Sequence, residues 1–364
     1  MSAPKPELAI DPDITRARMP PAALYRDPAW WKALCDGPLA RGWHCLGVAD
    51  GLEAVGAARP LVLLPGALDE PVVVVRGGDG ELRLLANACT HRAHLVVEQA
   101  GCGRALRCSY HGRGFALDGR CTGAPGFEGV AGFPGAEDAL ARYALAEWRG
   151  LLFGSLAPEA PWREVIAPVE ERAAPFLPAR WRHDATLDQT FEFDGHFALY
   201  VENYLEGLHI PFIHPGLNAR LDWKQYGYAS FAHGTLQVGV AAAGEPTLPL
   251  PAGHLDTARG PVGALYFWLF PTTMVNLYPW GLSLNVIEPL GPARTRVRFL
   301  AFVERPELHD RGAGSGLVQV ELEDERAVLQ VMKGLAARAY RGGRYVPHAE
   351  QGVHAFHRML ARTL

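Results

Sequence analysis

Residues 87–112 read NACTHRAHLVVEQAGCGRALRCSYHG. Cys89-Thr90-His91 is a C-x-H pair and Cys108-Ser109-Tyr110-His111 is a C-x-x-H pair, with sixteen residues between His91 and Cys108. Each pair sits at the tip of a segment that reads as a β-hairpin, NACTHR and RCSYHG. Each half supplies one thiol and one imidazole. A structural zinc site more often pairs its cysteines as C-x₂₋₄-C and its histidines further on, so a Cys₂His₂ zinc site and a coincidence of buried cysteines are the competing readings. Two thiolates on one iron and two imidazoles on the other satisfy a two-iron, two-sulfide cluster. Neutral imidazoles in place of two thiolates lower its negative charge and raise its reduction potential.

Outward from that segment, the 364 residues suit one large domain or two ordinary ones. Hydrophobic residues are 49% and charged residues 20%, a globular composition, and a formal charge of −4 gives no basic footprint for nucleic acid. The N-terminal residues MSAPKPELAIDPDITRARMP hold no apolar h-region, so no secretory signal is read and a cytoplasmic protein is expected. Gly260 to Ile287 carries no formal charge. Its prolines, asparagines and β-branched and aromatic residues predict two buried strands around a Pro-containing turn, not a membrane span. The six cysteines, without a signal peptide, point to metal ligation or burial, not to a disulfide framework.

About forty Pro-rich residues with a helical patch, DPAWWKALCDG, precede a β-like region from about Trp43 to Ser155. PVVVVRGGDGELRLL and GFALDGRC read as hairpins. LAPEAPWREVIAP (156–168) reads as a linker. Beyond it the pattern predicts a helix over about 195–209, strands over about 263–303 and a helix over about 317–341. GAGSG (312–316) lacks dinucleotide spacing and reads as a loop.

ENYLEGLHIPFIHP (202–215) gathers a second set of metal-binding side chains. Glu206 and His209, three apart, share a helical face. Pro211 lacks an N–H and pushes Ile210 out of the α region, so the helix should end near His209. On an unbroken helix His214 would lie about 140° around from His209; the break re-aims it. Two histidines need a carboxylate from another element to complete a non-haem Fe(II) site. VQVELEDERAVLQVMKGL (318–335) offers one: Asp324 shares a face with apolar Ala327, Val328, Val331 and Leu335, and a lone carboxylate there is costly to bury without a metal or partner. Glu323 points with Arg326 and Gln330 and reads as solvated, while periodicity does not exclude Glu325. The remaining histidines show no ligand spacing; His354 and His357 read as surface or packing residues.

These motifs resemble those of the Rieske non-haem iron oxygenases, specifically their α, or terminal oxygenase, subunits, over about residues 40–340. His94 and Tyr110 stand where respiratory Rieske proteins carry additional cysteines, and Arg113 stands where many members have Trp, a difference expected to affect loop packing or docking and not ligation. ENYLEGLHIPFIHP resembles the family motif N-Y-x-E/D-x-x-H-x-x-x-x-H. The resemblance implies Cys89, His91, Cys108 and His111 on the [2Fe–2S] cluster and His209, His214 and Asp324 on a mononuclear Fe(II). It implies Asn203 and Glu206 as catalytic, with Glu206 bridging a Rieske histidine of one subunit to the mononuclear site of its neighbour. A Glu at that position is similar to the branch acting on quaternary ammonium compounds, the choline- and carnitine-type monooxygenases.

The implied fold is α+β: a β-rich Rieske domain over 41–157, and a helix-grip (START-like) catalytic domain with an antiparallel sheet over 158–364. The N-terminal helical segment, 1–40, packs on the catalytic domain. The implied activity is hydroxylation of a small organic substrate, in particular an N-methyl compound, by O2. Electrons come from a separate NAD(P)H-dependent ferredoxin reductase, since the chain holds no convincing flavin or nicotinamide motif. A homotrimer is implied. Tyr204 and Phe212 beside the triad, and Trp268, Asn276 and Tyr278 on an aromatic sheet, are the expected pocket residues. Aromatic-ring hydroxylation, and a protein that keeps the cluster without oxygenating, are the alternatives.

Overall fold

The computed structural model describes residues 6–364, so the first five residues of the expected N-terminal segment lie outside it. The chain divides into two compact units. One is Trp43–Pro158; the other joins the described residues up to Gly42 with Glu159–Leu364.

The first unit is built on an antiparallel sheet of β1 (His44–Val48), β2 (Ala57–Leu63), β3 (Glu70–Arg76), β4 (Leu82–Ala86), β5 (Gly101–Cys102), β9 (Arg142–Trp148) and β10 (Leu151–Ser155), in the order β1-β10-β9-β4-β3-β2-β5. Between them β6 (Leu106–Arg107), β7 (Gly114–Phe115) and β8 (Cys121–Gly123) form a three-stranded sheet. The run Val72–Val75 is fully buried, as expected for β-branched residues in a central strand covered on both faces. β3 and β4 form one predicted hairpin, and β7 and β8 the other. Cys89 and Cys108 belong to one buried cluster with Val73, Val75, Leu85 and Phe115, so the two thiols rest on the hydrophobic core.

In the second unit, α1 (Pro28–Leu34) is capped by Asp27, whose carboxylate accepts the Ala29 N–H at 2.8 Å. The expected linker is only partly one: α2 occupies Trp162–Ala173. Val165, Ile166, Val169 and Ala173 bury as one stripe, and that burial outweighs the hydrogen bond forgone at Pro168. Seven antiparallel strands follow: β11 (Gln189–Phe193), β12 (Gly227–Phe231), β13 (Gly234–Val240), β14 (Val262–Leu269), β15 (Thr273–Tyr278), β16 (Gly281–Gly291) and β17 (Arg294–Val303), ordered β11-β17-β16-β15-β14-β13-β12. The uncharged stretch 260–287 thus holds two strands and the start of a third, instead of the expected two. No described helix is long and apolar enough to cross a membrane.

The helices that carry the second motif are shorter than predicted. α3 covers Phe197–Tyr204, five residues short of His209. Glu206 explains the early end. Its Oε2 accepts the N–H groups of Leu208 and of His209, the latter at 3.1 Å, and so satisfies donors that a longer helix would have paired. Pro211 then starts a helix: it lies in the first turn of α4 (Ile210–Ile213), where its missing N–H costs nothing. α5 spans Pro215–Asn218, α6 spans Leu317–Gly334 and α7 spans Gln351–Thr363. α6 stops at Gly334, short of the predicted 341, consistent with the poor helix propensity of glycine.

Candidate active site

In the first unit the two Cys/His loops adopt the same turn. The Cys89 N–H donates to the His94 carbonyl at 2.8 Å and the Cys89 carbonyl accepts from Ala93 at 2.8 Å. Likewise the Cys108 N–H donates to the Arg113 carbonyl at 2.9 Å and the Cys108 carbonyl accepts from Gly112 at 3.0 Å. The fifth residue of each turn is left-handed, with φ 56° at Ala93 and 72° at Gly112. Gly112 enters that region freely, whereas Ala93 does so at a cost of about 1–2 kcal/mol. The turns bring the His91 and His111 rings to 4.8 Å between centroids, with both cysteines buried beneath. Burial is the main cause that raises the Cys89 thiol pKa. Burial, then the neighbouring His111, Arg92 and Arg113 charges, lowers that of His91. The His91 Nδ1 is buried with no hydrogen-bond partner. Two adjacent buried thiols, two imidazoles and an orphaned ring nitrogen fit a [2Fe–2S] group.

In the second unit, α3, α4 and α6 converge. His209 precedes α4, His214 joins α4 to α5, and Asp324 projects from α6. One ligand atom from each of these three lies within 4.8 Å of the other two. The His209 and His214 rings are 5.0 Å apart at 78°. A carboxylate fixes the tautomer of each ring. His209 Nδ1 lies 2.5 Å from Glu206 Oε1 and His214 Nδ1 lies 2.7 Å from Glu323 Oε2, so each Nδ1 carries the proton it donates. The two Nε2 atoms face Asp324 Oδ1, at 3.7 Å from His209 and 3.0 Å from His214; with a metal between them each would ligate through that nitrogen. Asn203 Nδ2 donates to the same Oδ1 at 2.5 Å. Two imidazoles and a carboxylate facing one point, each oriented by a further polar group, fit a mononuclear Fe(II).

A cavity opens from this point. Asn203, Glu206, His209, His214 and Asp324 line one end, and Tyr204, Tyr226, Tyr266, Tyr278, Gln237 and Asn276 line the walls. Tyr226 and Tyr266 stack at 6.4 Å, and Tyr278 meets Tyr266 edge-on at 5.9 Å. Tyr204 donates its hydroxyl to Asn276 Oδ1 at 2.7 Å. Burial pushes the hydroxyls of all four tyrosines above the ordinary phenol pKa, so they are neutral. No Lys or Arg is among the described lining residues.

Two expected pocket residues lie elsewhere. Phe212 is 80% exposed, because α4 turns that position outward. Trp268 is fully buried against Phe270 and Phe356, further along β14 than the cavity reaches. Glu323 is a further correction: it is bonded to His214, not simply solvated. Helical periodicity could not show this, because the imidazole that meets Glu323 comes from another element. Tyr226 and Gln237 also escaped sequence reading, as isolated residues of loop and strand without a spacing signal. His357 is fully buried. It bonds Glu202 Oε1 at 3.0 Å, and the Tyr25 hydroxyl donates to the same oxygen at 2.6 Å.

A two-thiol, two-imidazole loop pair on a β unit and a two-histidine, one-carboxylate point on a helix-and-sheet unit define a class, the Rieske-type oxygenase α subunits. Family comparison agrees: residues 61–134 match the Rieske [2Fe-2S] domain and residues 198–364 match the catalytic domain of the ring hydroxylating alpha subunit. The chain belongs to the Rieske non-haem iron oxygenases, oxidoreductases whose cofactors are a [2Fe–2S] cluster and a mononuclear iron. It is 27% identical to the chloroplastic choline monooxygenase of Arabidopsis thaliana, over 98% of this chain and 85% of that protein. It is 29% identical to the carnitine monooxygenase oxygenase subunit of Escherichia coli (strain K12), over 94% and 93% respectively. The structure of the quaternary ammonium Rieske monooxygenase CntA in complex with L-carnitine superposes with a TM-score of 0.72 at 20% identity, covering 97% of this chain and 96% of that one. Naphthalene 1,2-dioxygenase from a Rhodococcus species shares the fold at a TM-score of 0.69 and 19% identity, covering 94% of each chain.

Proposed function

We propose that this protein hydroxylates a small ammonium compound at a carbon next to, or near, its nitrogen. The observation that carries this reading is the cavity: four neutral tyrosines, three amides and carboxylates at its iron-binding end, with no Lys or Arg among the described lining residues. Aromatic faces attract a quaternary or N-methyl ammonium through their quadrupoles, by about 0.5–2 kcal/mol each. An anionic tail would find no cationic partner there. The wall therefore favours an ammonium whose second polar group is neutral, such as an alcohol, bonded by Asn276 or Gln237. The relatives named for choline and for carnitine bracket this choice.

In this reading Cys89 and Cys108 hold one iron of the cluster, His91 and His111 the other, and His209, His214 and Asp324 the mononuclear iron. When bound, the two groups supply one-electron delivery and O2 activation, so that substrate C–H, O2, two electrons and two protons become C–OH and water. Glu206 holds the proton of His209 Nδ1 and keeps Nε2 free to ligate. Asn203 holds the Asp324 carboxylate in place. Hydroxylation of an N-methyl carbon gives a hemiaminal that collapses to amine and formaldehyde; hydroxylation of an alcohol carbon gives an aldehyde hydrate. Electrons come from a separate NAD(P)H-dependent reductase. The assembly is a homotrimer in which Glu206 links the mononuclear site to a Rieske histidine of a neighbouring subunit. The relative CntA is described with inter-subunit electron transfer, which supports that arrangement.

The test is O2 uptake by the purified protein with NADH and a surrogate reductase, across N-methyl alcohols, carboxylated betaines and arenes. Aldehyde or formaldehyde release from uncarboxylated ammonium compounds is expected, with slower turnover of carnitine. Diols from arenes without ammonium turnover would establish the ring-hydroxylating alternative. O2-independent cluster reduction with no product from any class would leave only electron transfer.

A further inference from the structure

Arg113 stands two residues after His111. It is buried, its side chain 3% exposed. Its Nη1 donates to Thr90 Oγ1 at 2.8 Å and to Asp138 Oδ1 at 3.1 Å. Thr90, between Cys89 and His91, donates its own hydroxyl to the Asp138 carbonyl at 2.7 Å. The guanidinium carbon lies 4.9 Å from the centre of the Phe127 ring and 4.8 Å from that of Phe133. Phe127 in turn meets His91 edge-on at 5.3 Å. Arg113 therefore joins both ligand loops to the 127–138 segment, and it places a fixed positive charge between them.

We propose that Arg113 positions the two ligand loops and sets the cluster's reduction potential higher than a neutral residue there would. Reduction adds one negative charge to the group that Cys89, His91, Cys108 and His111 hold in the reading above, on which this inference rests. A guanidinium in a dry site favours that charge because little water screens it. Asp138 opposes the effect, but its side chain is 18% exposed, so water screens it more than Arg113. Its Oδ2 also accepts the Gly135 N–H at 2.8 Å, which spreads its charge toward the backbone. The pair leaves a net positive field at the loops.

The test is a redox titration of the full-length protein followed by electron paramagnetic resonance. Arg113→Met should lower the midpoint enough to change the reduced-to-oxidised ratio about tenfold at fixed potential, or 59 mV for one electron. Asp138→Asn should move it the other way, and Arg113→Lys should fall between wild type and Arg113→Met. An Arg113→Met midpoint equal to wild type overturns the inference. If that variant fails to assemble a cluster, Asp138→Asn decides: a raised midpoint supports the inference and an unmoved or lowered one overturns it. A wild-type protein without a Rieske signal defeats the ligand set itself, whereas a normal signal with unmoved variants defeats only the role of Arg113.

Discussion

At the scale of single residues, carboxylates orient the histidines of the proposed mononuclear site. Glu206 and Glu323 each hold one Nδ1 proton, at 2.5 and 2.7 Å, and turn the opposite nitrogen inward. Loss of such a partner typically weakens metal affinity about 10–100-fold. Glu323→Ala should therefore weaken Fe(II) binding by that factor in equilibrium dialysis, while Gln319→Ala, which removes only a hydrogen bond to the outer oxygen of Glu323, should not. Equal affinities for Glu323→Ala and wild type would show that Asp324 and packing suffice to orient His214. Glu321, three residues before Asp324, is a contrasting acid. Burial raises its pKa well above the ordinary carboxylate range, and it accepts the Tyr200 hydroxyl at 2.6 Å.

At the scale of elements, α3 sets the position of Asn203 and of the turn that holds Glu206. His196 caps it: Nδ1 accepts the Ala198 N–H at 3.2 Å inside a fully buried, aromatic surround. Burial lowers the His196 pKa to about 3, against about 6.5 in the unfolded chain. The folded pKa is depressed, so below 6.5 the unfolded state takes up a proton that the native state refuses. The contribution is complete above pH 6.5 and is lost as pH falls toward 3, at about 1.4 kcal/mol per pH unit. His196→Asn keeps a capping oxygen and removes the titration. Its urea-unfolding free energy, measured metal-free between pH 4 and 6.5, should fall less steeply than that of wild type by about that slope; parallel curves would contradict the assignment.

At the scale of the whole molecule, the proposal that electrons cross between subunits separates two losses that look alike in a pure variant. On the proposed ligand sets a Cys108→Ser chain would lack the cluster and a His209→Ala chain the mononuclear iron, so neither should turn over alone. Co-expressed in mixed trimers, they should recover a measurable fraction of wild-type O2 uptake, because one chain's cluster serves its neighbour's iron. Mixed assemblies as inactive as either parent would confine the electron path to one chain.

Much of this protein was legible before folding because its chemistry is written in short spacings. C-x-H and C-x-x-H place one thiol and one imidazole on each of two tight turns, and the β-branched run at 72–75 can satisfy itself only inside a sheet. The histidines at 209 and 214, and the apolar face around Asp324, likewise depend on residues a few positions away. What stayed hidden depends on distant groups meeting. Glu323 read as solvated until α6 came beside His214, and Phe212 and Trp268 were assigned to a pocket that takes Tyr226 and Gln237 in their stead, beside the expected Tyr204, Asn276 and Tyr278. Helix ends moved for the same reason: Glu206 terminates α3 with its side chain, a choice that backbone propensity does not register. Periodicity reports which face of an element is apolar, and only packing decides what that face, or a polar residue at its edge, will touch.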